Sequence, residues 1–143
     1  MKVCDAIFET IDHTADIGYI CRGSSRAILF ENCAVALLSL MFGVVDAVHS
    51  QSERKLEISA DDPTELLVHF LNELLFLWET EHVVPTEVIV SEITSTHMVA
   101  MITEEPYEPD KHTVILDIKS ATYHRLRIDK IGDYWEAEVV LDV

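Results

Sequence analysis

Asp62-Pro63-Thr64-Glu65-Leu66-Leu67-Val68-His69-Phe70-Leu71-Asn72-Glu73-Leu74-Leu75-Phe76-Leu77-Trp78-Glu79-Thr80 reads as one helix set between strands. Asp62 suits the N-cap, because its carboxylate can accept a first-turn N–H, and Pro63 at N1 loses no hydrogen bond there. Glu65 at N3 completes a box-like start in which Asp replaces the usual Ser or Thr. Leu67, Phe70, Leu71, Leu74 and Trp78 recur at helical spacing and predict a buried stripe, leaving Glu65, His69, Asn72, Glu73 and Glu79 outward. The period changes on both sides of this helix. Before it, Leu56, Ile58 and Ala60 alternate with Lys55, Glu57 and Ser59, the two-residue period of a strand. After it, residues 86–93 and 97–102 read as a hairpin turning at Thr94-Ser95-Thr96.

Further out, residues 25–42 predict a second helix, capped by Ser24 or Ser25 and ended by Gly43. From Cys33 to Phe42 its only polar side chain is Ser39, so it is expected to be covered on most sides. Residues 114–118, 121–128 and 134–143 read as strands. In the last of these, Trp135, Ala137, Val139 and Leu141 share one face, and Glu136, Glu138 and Asp142 the other. Gly132 lies in the preceding turn, where a positive φ is favoured. Two apolar helices among alternating strands imply a single α+β domain over residues 1–143. The expected architecture has two layers, with both helices on one face of a mixed, mostly antiparallel β-sheet.

The chain has 143 residues, enough to bury about 68–70% of its unfolded surface in one core. A hydrophobic content of 49% argues against disorder, and 4 Gly and 4 Pro argue against a linker-rich chain. Its formal charge is −16, from 10 basic and 26 acidic residues. Nucleic-acid binding draws on Lys and Arg at phosphates, so no stable direct nucleic-acid contact is expected. The same charge suits divalent cations or a basic protein partner. Cys4, Cys21 and Cys33 form no CxxC pair and read as reduced thiols, with Cys33 as a small core residue. Asp5 and Glu9 interrupt the opening segment, so no export signal is read there, and residues 66–78 are too short and too interrupted to span a bilayer. These readings imply a cytoplasmic protein without a membrane partner.

Asp12-His13-Thr14-Ala15-Asp16-Ile17-Gly18 is the chemically dense stretch. Asp12 and Asp16 are hard oxygen donors suited to Ca²⁺, Mg²⁺ or Mn²⁺, although capping and turn formation are the commoner reasons for such residues. Leu141-Asp142-Val143 follows a strand directly. Were Asp142 and the carboxyl group of Val143 to meet Asp16, three anionic groups would converge, which is costly without a cation. Lys119 is a further candidate, to neutralise that cluster or touch a phosphate, against the commoner role of a solvated edge lysine. His124 and Tyr123 are equally ambiguous, and His112 is expected to help fold the loop that contains Pro106 and Pro109. No paired histidines, P-loop or nucleophile elbow is present.

Several segments, in order along nearly the whole chain, resemble the archease family. They are His13-Thr14-Ala15-Asp16-Ile17-Gly18, Leu29-Phe30-Glu31-Asn32-Cys33-Ala34, residues 66–75, Glu105-Pro106-Tyr107 with His112, Lys119-Ser120-Ala121-Thr122-Tyr123-His124, and Leu141-Asp142-Val143. Glu104 stands where that family usually carries Gly, and residues 113–116 lack a glycine often seen there. The resemblance implies a sheet with two helices and a non-catalytic accessory protein. Its partner would be an RtcB-type RNA ligase, which serves tRNA splicing and RNA repair by joining a 3′-phosphate or 2′,3′-cyclic-phosphate end to a 5′-hydroxyl end. The accessory protein promotes metal-dependent guanylylation of the ligase and its repeated turnover. The resemblance also implies a metal site of Asp16, Asp142 and Val143, taking Ca, Mg or Mn, with Lys119 and His13 serving activation. Two alternatives are a small metal-dependent phosphohydrolase using Asp16 and Asp142, and a chaperone-like adaptor whose acidic residues serve solubility.

Overall fold

The computed structural model describes residues 7–10, 16–43 and 51–143. Strands β1 (Ile7–Thr10) and β2 (Asp16–Gly23) are followed by helix α1 (Arg26–Phe42), strand β3 (Ser52–Ser59) and helix α2 (Pro63–Glu81). Strands β4 (Val83–Ile93), β5 (His97–Pro106), β6 (Ser120–Ile131) and β7 (Tyr134–Asp142) complete the described chain. The class is α+β, and every described strand pairing is antiparallel. The strands divide between two sheets where the sequence suggested one. A four-stranded sheet has the order β1-β2-β7-β6, and a three-stranded sheet the order β3-β5-β4.

Both helices form for the reasons their ends predict. The Asp62 carboxylate accepts the Glu65 N–H at 2.9 Å, which together with the Thr64 hydroxyl holds the carboxyl below its ordinary pKa. Glu65 reaches back to the Asp61 N–H at 3.3 Å, one residue earlier than a standard capping box. Ser25 caps α1 through the Ile28 N–H, and Gly43 ends it at φ 70°. The α2 terminus needs no glycine, because His82 takes the left-handed conformation at φ 53°.

Each helix touches both sheets. α1 lies on β2, β7 and β4, while α2 lies on β6, β3 and β4. This accounts for the nearly all-apolar second half of α1, where Cys33, Ala34, Leu37, Leu38 and Met41 are all buried. The core faces of the sheets add Tyr19, Cys21, Ala137, Val139 and Leu141 from one, and Leu56, Ile58, Met98, Ala100 and Ile102 from the other. Cys21 and Cys33 are buried reduced cysteines, and Cys4 lies outside the described residues.

Two strand readings need correction. Residues 114–118 are not a strand. Their segment runs without regular structure, and the Ile115 N–H donates at 2.7 Å to the Met41 carbonyl, one of the carbonyls that a helix end leaves open. A β-branched apolar run was satisfied by a helix terminus in place of a neighbouring strand. Conversely, β1 pairs with β2 at residues 7–10, where the sequence pattern had singled out no strand. Asn72, read as outward, is only half-exposed and serves a strand edge described below.

Candidate acidic site at the end of the four-stranded sheet

The register of the four-stranded sheet brings distant residues onto one rung. Asp16 opens β2 and lies opposite Asp142 near the end of β7; Ser120 opens β6 and lies opposite Asp142 from the other side. Directly opposed residues share a face, with Cβ atoms about 4.5–5.5 Å apart, and like charges placed so repel. Both aspartates are half-buried, and neither side chain has a hydrogen bond or ion pair among the described residues. Val143 follows the last residue of β7 and packs partly against the core. His13, Asp12 and Thr14 lie outside the described residues.

The arginines near this face are committed elsewhere. Glu136 accepts from Arg22 at 2.8 Å and from Arg127 at 3.0 Å, while Glu138 accepts from Arg127 at 3.3 Å and is paired with Arg125 at 3.0 Å. Burial works against the Arg127 charge, yet its bonds to Asp129, Glu136 and Glu138 hold its pKa above the ordinary arginine value. Positive charge is thus concentrated on the middle of the sheet face and absent from the Asp16–Asp142 rung.

Lys119 adjoins that rung. Its backbone N–H donates to the Asp142 carbonyl at 2.8 Å, which ties the approach to β6 onto the end of β7. Lys55 and Lys111 are paired with Glu57 and Glu108, and Lys130 lies 5.8 Å from the Trp135 ring centre. The Lys119 ammonium has no such partner among the described residues. It is exposed at the rim of a surface cleft of about 550 Å³ lined also by Leu75, Trp78, Glu79, His82, Asp117 and Ile118. Beneath the cleft, the Trp78 ring meets Phe42 at 5.0 Å and Tyr107 at 5.1 Å, and Tyr107 stacks on His112 at 5.8 Å. His112 is buried; its Nδ1 accepts the Glu108 N–H at 2.9 Å and its Nε2 meets Glu105 at 2.6 Å. It therefore folds the loop, as its position suggested. Glu104, at the position where a glycine was expected, stays in strand register opposite Ser52 and is buried against Arg54.

A divalent cation fits the Asp16–Asp142 pair in donor type and charge. Mg²⁺ in particular is commonly held by one or two carboxylates, with substrate phosphates and water filling the other positions. Among the described residues, no group of three or more His, Cys, Asp or Glu side chains forms a ready-made metal cluster. The predicted convergence therefore reduces here to two side-chain carboxylates with Val143 beside them. Sequence reasoning missed two features of this region: the hold of Asn72 on β6, and a bulge in β6 itself. Neither leaves a local pattern, because each depends on which strand lies at the sheet edge.

No helix among the described residues is long and apolar enough to cross a membrane. A family model described as the Archease protein family matches residues 8–143. The chain is 33% identical over 140 residues to the protein archease of Methanosarcina mazei, covering 95% of each. The solution structure of Methanobacterium thermoautotrophicum protein 1598 superposes with a TM-score of 0.74 at 32% identity, covering 95% of this chain and 98% of that one. The crystal structure of an archease from Thermotoga maritima, titled a possible chaperone, shares the fold with a TM-score of 0.67 at 24% identity, covering 94% and 96%.

Proposed function

The chain belongs to the archease family, and from that membership we propose that it is a non-catalytic activator of an RtcB-type RNA ligase in tRNA splicing or RNA repair. It promotes guanylylation of the ligase and repeated turnover in the cytoplasm. The observation that carries this reading is the Asp16–Asp142 rung, two opposed carboxylates that form no ion pair among the described residues. Such a pair, completed by the carboxyl group of Val143, holds Mg²⁺, Mn²⁺ or Ca²⁺ beside the triphosphate that the ligase consumes. A bound divalent cation would supply charge neutralisation as GMP is transferred. Lys119 faces the same phosphates as a second positive charge, and His13 lies close by in sequence. The activator contributes no nucleophile, because the ligase uses its own histidine. With a charge of −16, the protein docks on a basic ligase surface in preference to RNA.

The test is covalent GMP attachment to the purified ligase with GTP and Mn²⁺, comparing no addition, the intact protein, and its Asp16→Ala and Asp142→Ala variants. Faster and repeated guanylylation with the intact protein, lost in both variants, is the expected outcome. No acceleration of an active cognate ligase would overturn the assignment and leave the hydrolase and adaptor readings. Acceleration that survives both substitutions keeps the partner and removes the metal site.

A further inference from the structure

Three rungs pair β6 with the end of β7: Ser120 with Asp142, Ala121 with Leu141 and Thr122 with Val140. Beyond Thr122 the strand bulges, and pairing resumes only at Arg127 opposite Glu138. Within the bulge Arg125 holds φ 55° and Tyr123 is exposed. Before the three rungs, residues 107–119 run without helix or strand. The rungs are therefore an isolated piece of strand. It lies at the edge of the sheet, with no strand beyond it among the described residues. An edge strand presents unpaired N–H and carbonyl groups on its outer side.

Asn72 takes the outer place at Ala121. Its Oδ1 accepts the Ala121 N–H at 2.7 Å, and its Nδ2 donates to the Ala121 carbonyl at 3.2 Å. One amide can do both, because it carries an acceptor and a donor side by side. The helix that carries it is firmly seated: Leu71, Leu74 and Leu75, close to Asn72 on α2, are buried. Ala121 is one residue from Ser120, which faces Asp142. It is two residues from Lys119, whose N–H donates to the Asp142 carbonyl at 2.8 Å. Two residues of chain reach at most about 7 Å, so holding Ala121 holds both near the rung. Asp142 is the last residue of β7. A chain end frays unless it is tied down, and on the β6 side its ties come from this short piece.

We propose that Asn72 is a positioning residue for the acidic rung: by holding Ala121 it keeps Asp142 at a fixed separation from Asp16, and so sets the affinity of the pair for a divalent cation. Asn72 acts through Ala121 and not on the cation. Groups that orient metal ligands change affinity by about 10–100-fold when they are lost. The role rests on the cation site of the function proposed above.

The experiment measures Mn²⁺ binding to the intact protein, Asn72→Ala and Val88→Ala well below each Tm, by loss of the free-ion EPR signal. Val88 is buried on β4 in the other sheet, so its truncation loosens the fold away from the rung. Asn72→Ala is expected to raise the Mn²⁺ Kd about tenfold, and Val88→Ala to leave it unchanged. An unchanged Kd for Asn72→Ala, or an equal rise for Val88→Ala, would overturn the positioning role. A second measurement needs no variant. Coupling between two sites is mutual, so Mn²⁺ is expected to slow amide exchange at residues 119–122 of the intact protein more than at residues 84–90, read by mass spectrometry. Equal slowing of both segments would also overturn the role. Guanylylation of the ligase separates this role from the activity it serves. A raised Kd for Asn72→Ala, with no acceleration of the ligase by the intact protein, would leave the positioning role standing and remove the activator reading. No Mn²⁺ binding by the intact protein would overturn the cation site and the role together.

Discussion

Asp16 and Asp142 are joined by nothing in the sequence, yet the structure sets them on one rung. Two carboxylates placed so cost stability unless a cation lies between them. Asp16→Asn is therefore expected to stabilise the metal-free protein by about 0.2–1 kcal/mol, seen as a higher Tm in the presence of chelator. Mn²⁺ is expected to raise the Tm of the intact protein and to leave that of the variant unchanged, since a ligand that binds only the folded state raises Tm. A lower metal-free Tm would show instead that the Asp16 carboxylate supports the fold. At this scale the acidic residues themselves were legible in the sequence, as was the loop role of His112. The company they keep was not. Glu104 shows why: it replaces an expected glycine without disturbing the strand, because Arg54, fifty residues earlier, meets it in the fold.

Among the elements, both helices were legible because their signals are local. Asp62, Pro63 and Ser25 act within one turn, and the apolar stripe repeats every few residues. Strand edges are not local, and α2 carries the clearest example. Asn72 lies on the flank of a helix that is otherwise committed to the core, and it satisfies both backbone groups of Ala121 as a neighbouring strand would. Asn72→Ala leaves that buried N–H and carbonyl without their partner, at about 1–3 kcal/mol, to be measured by urea unfolding. The loss should appear with little change in the slope of the unfolding free energy on urea. An effect below about 0.5 kcal/mol, the level of an ordinary surface substitution, would mean that water replaces Asn72 and that β6 is held by β7 alone.

For the whole molecule, charge is unevenly distributed. Arg22, Arg125 and Arg127 neutralise Glu136, Glu138 and Asp129 in the middle of the four-stranded sheet, while the acidic rung at its end forms no ion pair among the described residues. Exposed ion pairs contribute little, and a net charge of −16 repels itself over the whole surface. Repulsion should win. Tm is expected to rise as NaCl is increased from about 0.01 M to 0.15 M, over which the screening length falls from about 30 Å to 8 Å. A fall in Tm would show that the arginine network outweighs the net repulsion.

Sequence by itself determined the α+β class, the two helices with their N-caps, the hairpin of residues 86–93 and 97–102 and the acidic character of the chain. Each follows from a period or a cap that acts over a few residues. Tertiary structure alone decided that the strands divide between two sheets, that residues 114–118 serve a helix end, and that Asp16, Ser120 and Asp142 meet on one rung. It alone decided that β6 bulges to display Tyr123. These depend on which strands become neighbours and in what register, and that choice is set by burying both helices against both sheets at once, a condition that no short stretch of sequence contains.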